Sequence, residues 1–304
     1  MRRCCVCVPV RDEAARLPIL LDALAAQSIE ARIAVALCVN NSGDGTAAIA
    51  RAMAEKHRDR LDLRIDERHF KAPLAHAGSA RRAAMDAGAA WLDDPADILV
   101  STDADCRPPE GWIAAILDAI DDERIVGGGI RLDEQEAVPA DIIALRTRYD
   151  IYWAAVRAIE DAIDPCAWDA PPRHGDHTGA SLAMTVGLYR RAGGVPLLAN
   201  GEDRALVEAA IGVGGRLVHP ASVWTRTSAR ADGRAAGGMA ADMARLAADA
   251  GERIDPLVPH FDHWRRRATW RRALRQDGTP VTSEERQLPP MPHDMPLPQL
   301  ADVR

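Results

Sequence analysis

Residues 97–105 read DILVSTDAD. The first six, DILVST, are a short apolar run closed by hydroxyls, the pattern of a strand buried inside a sheet. The last three, Asp103-Ala104-Asp105, place two acids around one small residue directly after it. On an extended backbone residues i and i+2 face the same way, so the two carboxylates can converge on one cation. Mg2+ and Mn2+ take oxygen ligands, and Mg2+ sites commonly use one or two carboxylates plus substrate phosphates. Without the strand before them, the same residues would be an ordinary solvated acidic turn.

Upstream of this strand the chain alternates. Strands are expected at 4–10, 32–39, 61–65 and 97–102, and helices at 16–27, 46–57, 78–92 and 110–120. Such βαβα order implies a mostly parallel sheet covered by helices on both faces. Ligands of open sheets bind beyond the carboxyl ends of the strands. The turns at 9–13 (PVRDE), 39–46 (VNNSGDGT) and 103–107 all follow strands, so all three belong on one edge. Downstream, a long helix is expected at 137–163, ordered structure at 179–191, a helix at 203–211, strands at 215–219 and 222–227, and a helix at 237–252. From 277 the chain is proline-rich and polar, and reads as extended, disordered or wrapped on a partner.

The 304 residues suffice for one large α/β domain with extensions. Hydrophobic residues are 47%, charged 27% and aromatic only 4%, so the core is expected to be aliphatic. A net charge of −7 argues against non-specific nucleic-acid binding. No run approaches the roughly 20 apolar residues of a membrane span. The opening MRRCCVCVPV is too brief for a signal-peptide core, and the expectation is a cytoplasmic protein. Cys4, Cys5 and Cys7 lie in a strand-like run, where packing is the expected role.

Other polar groups add chemistry. Glu202-Asp203 opens a helix. Acids favour that position for the dipole alone, but a positioned carboxylate there can also take the proton of an attacking hydroxyl. Asn40 or Asn41 can hydrogen-bond a nucleobase, since an amide both donates and accepts. His174, Asp176 and His177 sit in a loop that could hold a metal or an acceptor, although their spacing fits no standard zinc set. The basic stretch 264–275 (WRRRATWRRALR) reads either as an interfacial helix with Trp264 and Trp270 toward lipid, or as an amphipathic helix packed on the protein.

Taken together, VPVRDE, VNNSGDGT, GSARRAAMDAGA, ILVSTDADCRPPEGWI, GASLAMTVGLYRRAGGVP and NGEDRALV resemble, in order and spacing, the inverting glycosyltransferases of family 2. The resemblance covers roughly residues 4–230. It implies a GT-A type, Rossmann-like three-layer α/β/α fold with a helical C-terminal extension. The implied divisions are a catalytic domain over 1–230 (nucleotide-binding half 1–107, acceptor half 108–230), a helical extension over 231–276 and a tail over 277–304.

It further implies that Pro9, Arg11, Glu13 and Asn40 border the nucleotide of a UDP- or GDP-sugar, and that Arg81 contacts base or phosphate. Asp103 and Asp105 would hold ribose and a Mg2+ or Mn2+ ion. Asp203 would be the base that activates a hydroxyl acceptor, with Glu202 helping to bind acceptor or donor sugar. Family members often carry two acids where this chain has Asn40-Asn41, and many carry a metal-holding histidine after the Glu-Asp motif. His219 falls too early for that role, which leaves Arg226 and Arg230 as candidates for the diphosphate. Stretch 264–275 is then a candidate peripheral contact with the inner membrane face. The alternatives weighed are a retaining transferase of the same fold, a nucleotidyltransferase on a related sheet, and a degenerate nucleotide-binding scaffold.

Overall fold

The computed structural model describes residues 2–230, 239–252 and 255–299. Twelve strands and ten helices are assigned among them. The strands are β1 (Cys4–Val10), β2 (Ile33–Asn40), β3 (Leu61–Arg68), β4 (Ile98–Ser101), β5 (Cys106–Arg107), β6 (Arg124–Gly127), β7 (Gly129–Leu132), β8 (Leu182–Thr185), β9 (Arg216–Val218), β10 (Trp224–Thr227), β11 (Leu257–Val258) and β12 (Met295–Pro296). The helices are α1 (Leu17–Ala25), α2 (Thr46–Lys56), α3 (Ala77–Leu92), α4 (Trp112–Ala119), α5 (Ala140–Ile163), α6 (Val186–Arg191), α7 (Glu202–Gly212), α8 (Met239–Glu252), α9 (Phe261–Gln276) and α10 (Val281–Glu285).

Seven strands form the main sheet in the order β3-β2-β1-β4-β8-β6-β9. β1 pairs in parallel with β2 on one side and β4 on the other, and β8 alone runs against its neighbours. Alternation along β1 divides the core. Val6, Val8 and Val10 face the leucines of α1 and Trp112 of α4, while Cys5 and Cys7 face α3 and α6. A Cβ on Gly88 would stand 2.7 Å from Cys7 Sγ, so the small residues of α3 let it lie close over the sheet. All six cysteines are free, and Cys5, Cys7, Cys38 and Cys106 are buried.

The chain turns in opposite directions after β1, to β2 on one side and, later, to β4 on the other. The crevice at this switch point is where ligands of open α/β sheets bind. It receives the turns after β1, β2 and β4. A second sheet, β5-β10-β7, closes over the crevice, with Thr227 opposite Cys106.

One expectation is corrected. The segment 277–299 is not loose. It forms α10, pairs β12 with β11, and buries Leu297 against α5 and α8. Residues 300–304 lie outside the described residues, as do 237 and 238 of the expected helix, which runs from Met239. The helical extension packs onto the long helix of the preceding segment. Its cluster of Met243, Leu246, Val258 and Leu297 is built on Ile142, Leu145, Tyr152 and Val156 of α5.

Helix α9 takes the packed form. Trp264 donates to the Tyr152 hydroxyl at 2.7 Å, and Trp270 is half-buried. Arg267, Arg271 and Arg275 are neutralised by Glu285, Glu160 and Asp164. Among the described residues no helix is long and apolar enough to cross a membrane.

Candidate active site

Arg81 is the centre of the arrangement. It projects from α3 with a side chain only 5% exposed. Its Nε donates to Glu202 Oε1 (3.0 Å), Nη1 to Ser101 Oγ (2.7 Å) and the Gly179 carbonyl (3.0 Å), and Nη2 to Asp103 Oδ1 (2.9 Å). Burial alone would weaken its charge, but Asp103, Glu202 and Asp203 more than offset this and hold its pKa above the ordinary range. Arg81 therefore joins the acid pair after β4 to the acid pair opening α7, which are about a hundred residues apart in sequence. Four of its five N–H donors are spent on these protein acceptors.

Glu202 is buried behind this clamp, and Asp203 is more open. Asp203 Oδ2 accepts the Gly179 N–H (2.7 Å), and Oδ1 accepts the Arg204 N–H (2.7 Å). Those two bonds fix the carboxylate's orientation at the start of α7, where the helix dipole favours negative charge.

Asp103, Asp105 and Cys106 have ligand atoms within 4.8 Å of one another, the one metal-capable group of three among the described residues. Asp105 is pushed up to about 7, first by burial and then by Asp103 beside it, with Arg230 opposing. The Cys106 thiol is held well above its usual range by burial and both acids, so it stays protonated. What remains is a pair of carboxylates that repel each other. Such an oxygen pair suits a hard divalent cation, and the residues present fit Mg2+ or Mn2+. Arg230 is the protein's own counter-ion here, bridging Asp105 Oδ2 (2.9 Å) and Glu13 Oε1 (2.6 Å). It reaches the site because the Ser228 N–H is tied to the Asp105 carbonyl (3.2 Å).

The turns after β1 and β2 interlock. Asp12 Oδ1 accepts the Gly43 N–H at 2.7 Å, and the Asp12 N–H donates to Ser42 Oγ at 2.9 Å. Asp12 and Asn41 both hold left-handed backbone, with φ of 48° and 51°, an uncommon state tolerated best by Asp and Asn. The structure separates the two asparagines. Asn41 spends its amide on the Phe70 backbone (3.0 and 3.1 Å). Asn40 is buried, with Nδ2 lacking a partner. Arg11 donates to the Ala75 carbonyl (3.2 Å), and Pro9 lies half-buried at the end of β1.

Arg226 is not brought to the acid pair. It is held by Glu134 (2.7 Å) and lies over the Trp224 ring. His219 is likewise elsewhere, paired with Asp169 at 2.7 Å. Sequence reading missed Gly179 and Ser101 as parts of the clamp, although both lie in segments, GAS and LVST, that it had quoted.

A mostly parallel sheet with paired acids at its switch point is the architecture of GT-A glycosyltransferases, and the comparisons agree. Residues 5–152 match the family model described as Glycosyl transferase family 2. The match spans just under half of the chain and marks this segment as a glycosyl transferase family 2 domain. Among solved structures it is similar to the mannosyltransferase PcManGT from Pyrobaculum calidifontis in complex with GDP-Man and Mn2+, with 21% identity, 94% of this chain and 79% of that one covered, and a TM-score of 0.52. It is also similar to S. aureus TarS 1–349 in complex with UDP-GlcNAc, with 15% identity, 95% and 76% covered, and a TM-score of 0.50. No curated protein matches it.

Proposed function

We propose that the chain transfers a sugar from a UDP- or GDP-sugar to a hydroxyl acceptor with inversion, Asp203 acting as the general base. The observation that carries this reading is the Arg81 clamp, which sets the donor-side acids and the α7 acids around one crevice. Asp203, oriented by Gly179, accepts the acceptor's proton as its oxygen attacks the anomeric carbon. The bond from that carbon to the diphosphate breaks, and the nucleoside diphosphate departs. Asn40 offers its free amide N–H to a carbonyl of the base, with Pro9, Arg11 and Glu13 along the same wall. Arg230 stands within reach of the diphosphate, and a guanidinium suits its oxygens. Arg226 is left out of the site. When bound, Mg2+ or Mn2+ at Asp103 and Asp105 supplies charge stabilisation to the leaving diphosphate. Bound nucleotide-sugars in the two similar structures support the donor class.

Asp203→Asn is expected to bind UDP or GDP as the parent does in titration calorimetry, while turnover falls by about 10²–10⁴-fold. Full transfer activity in that variant would remove Asp203 from the role. Product analysis by NMR reads the anomer directly, and retention would replace the inverting assignment.

A further inference from the structure

Two arginines share the acids of the crevice. Arg81 holds Asp103 and Glu202, and Arg230 holds Asp105 and Glu13. They are fixed in different ways. Arg81 is also tied to Ser101 Oγ and the Gly179 carbonyl, so the sheet and its loop lock the guanidinium. Arg230 grips carboxylates, with one nitrogen, Nη2, set 2.6 Å from Glu13 Oε1 and 2.9 Å from Asp105 Oδ2. Its backbone is anchored separately. The Ser228 N–H donates to the Asp105 carbonyl (3.2 Å), and Ser228 Oγ and the Ala229 N–H donate to Glu136 Oε2 (2.8 and 2.9 Å). The chain is pinned up to Arg230, whose long side chain can turn without moving the strand before it.

Asp105 is also one of the two carboxylates that fit a divalent cation, its ligand atom within 4.8 Å of that of Asp103. An ion there would share Asp105 with the guanidinium. The side chains of Glu13, Asp105 and Arg230 are 6%, 16% and 14% exposed. Two cations on one carboxylate repel, and solvent screens buried charges weakly. With no ion bound, the same guanidinium supplies positive charge to carboxylates that burial penalises. Asp105 is pushed up to about 7 even with Arg230 opposing that rise.

We propose that Arg230 is a placeholder for the divalent ion, resting on Asp105 and Glu13 until the diphosphate of a nucleotide draws it away, so that nucleotide and metal bind as a coupled pair. Glu13 is then the residue that positions Arg230 in the empty site. The proposal rests on the nucleotide-sugar reading above. A diphosphate offers a guanidinium several anionic oxygens in the bidentate geometry it favours. Once Arg230 has turned to it, Asp105 is left to the ion. The coupling is reciprocal, nucleotide and ion each tightening the other by one factor.

The test titrates the full chain and Arg230→Met with Mn2+ alone, read from loss of the free-ion electron paramagnetic resonance signal, and with UDP or GDP alone, read by calorimetry. Both are run at pH 8, above the value near 7 to which Asp105 is raised. Arg230→Met is expected to bind bare Mn2+ about tenfold more tightly than the parent and to bind the metal-free nucleotide more weakly. The opposite signs carry the test, because an arginine with a merely structural role would weaken both ligands when lost. Unchanged or weaker binding of bare Mn2+ in folded Arg230→Met overturns the proposal. Should that variant fail to fold, Arg230→Gln, which removes the charge and keeps a hydrogen-bond donor, is expected to shift both affinities in the same two directions. Failure of the parent to bind UDP or GDP counts against the donor reading, and the titration with Mn2+ alone still decides whether Arg230 holds the place of the ion.

Discussion

Gly179 sits where a side chain has no room. A Cβ there would come within 2.3 Å of Arg81 Cζ, and the residue supplies both a carbonyl to Arg81 and an N–H to Asp203. Gly179→Ala is expected to displace Arg81, lower stability by about 1–3 kcal/mol, as overpacking does, and depress turnover. Denaturant unfolding and an activity assay check it, and an unchanged midpoint with full activity would mean the clamp yields freely. At this scale the paired acids were legible because carboxylates spaced i, i+2 directly after a buried strand face the same way at the ligand edge of the sheet. Their union through Arg81 was not legible, since an arginine inside an alanine-rich helix looks like a surface charge. Nor did the sequence distinguish Asn40 from Asn41. Only the tie of Asn41 to Phe70 does that.

The elements with strong periodicity, from β1 through α4, fell where the sequence pattern placed them. Of the strands of two to four residues, β4, β9 and β10 were legible, whereas β5, β6, β7, β11 and β12 were not read and exist because partners line up beside them. The tail misled for a definite reason. Proline-rich composition reads as loose chain, yet the two-stranded β11-β12 pair needs few donors, and the Leu297 N–H still reaches the Pro256 carbonyl at 2.8 Å. Leu297 is 1% exposed against α5 and α8. Leu297→Ala is expected to cost about 2–5 kcal/mol, lowering the melting temperature without changing UDP affinity. Thermal melting beside calorimetry checks it, and a melting point within error of the parent would show that the tail's packing carries no stability.

For the molecule as a whole, stability depends on pH through groups that folding shifts. His174, pulled down to about 4 chiefly by burial, binds fewer protons folded than unfolded between that value and its ordinary 6.5. Its contribution is therefore present above pH 6.5 and is lost as pH falls through that window. His177, also lowered by burial first, acts in the same direction. Asp105, raised to about 7, works oppositely, losing stability as pH rises toward 7. The wild-type curve mixes these terms, so the difference between parent and His174→Phe isolates the first. The variant is expected to lose less melting temperature than the parent between pH 6.5 and 4.5, and parallel curves would contradict the burial of a neutral His174.

The sequence by itself determined the sheet, its helical layers and the edge on which the acids stand. Those follow from hydrophobic period and strand order, which are properties of neighbours along the chain. The tertiary structure alone decided which acids share an arginine, which asparagine keeps a free amide, and that Arg230 and not Arg226 reaches Asp105. These are matters of which distant side chains meet and which polar groups burial leaves unpaired. Hydrogen-bond satisfaction is settled only when the whole chain has packed.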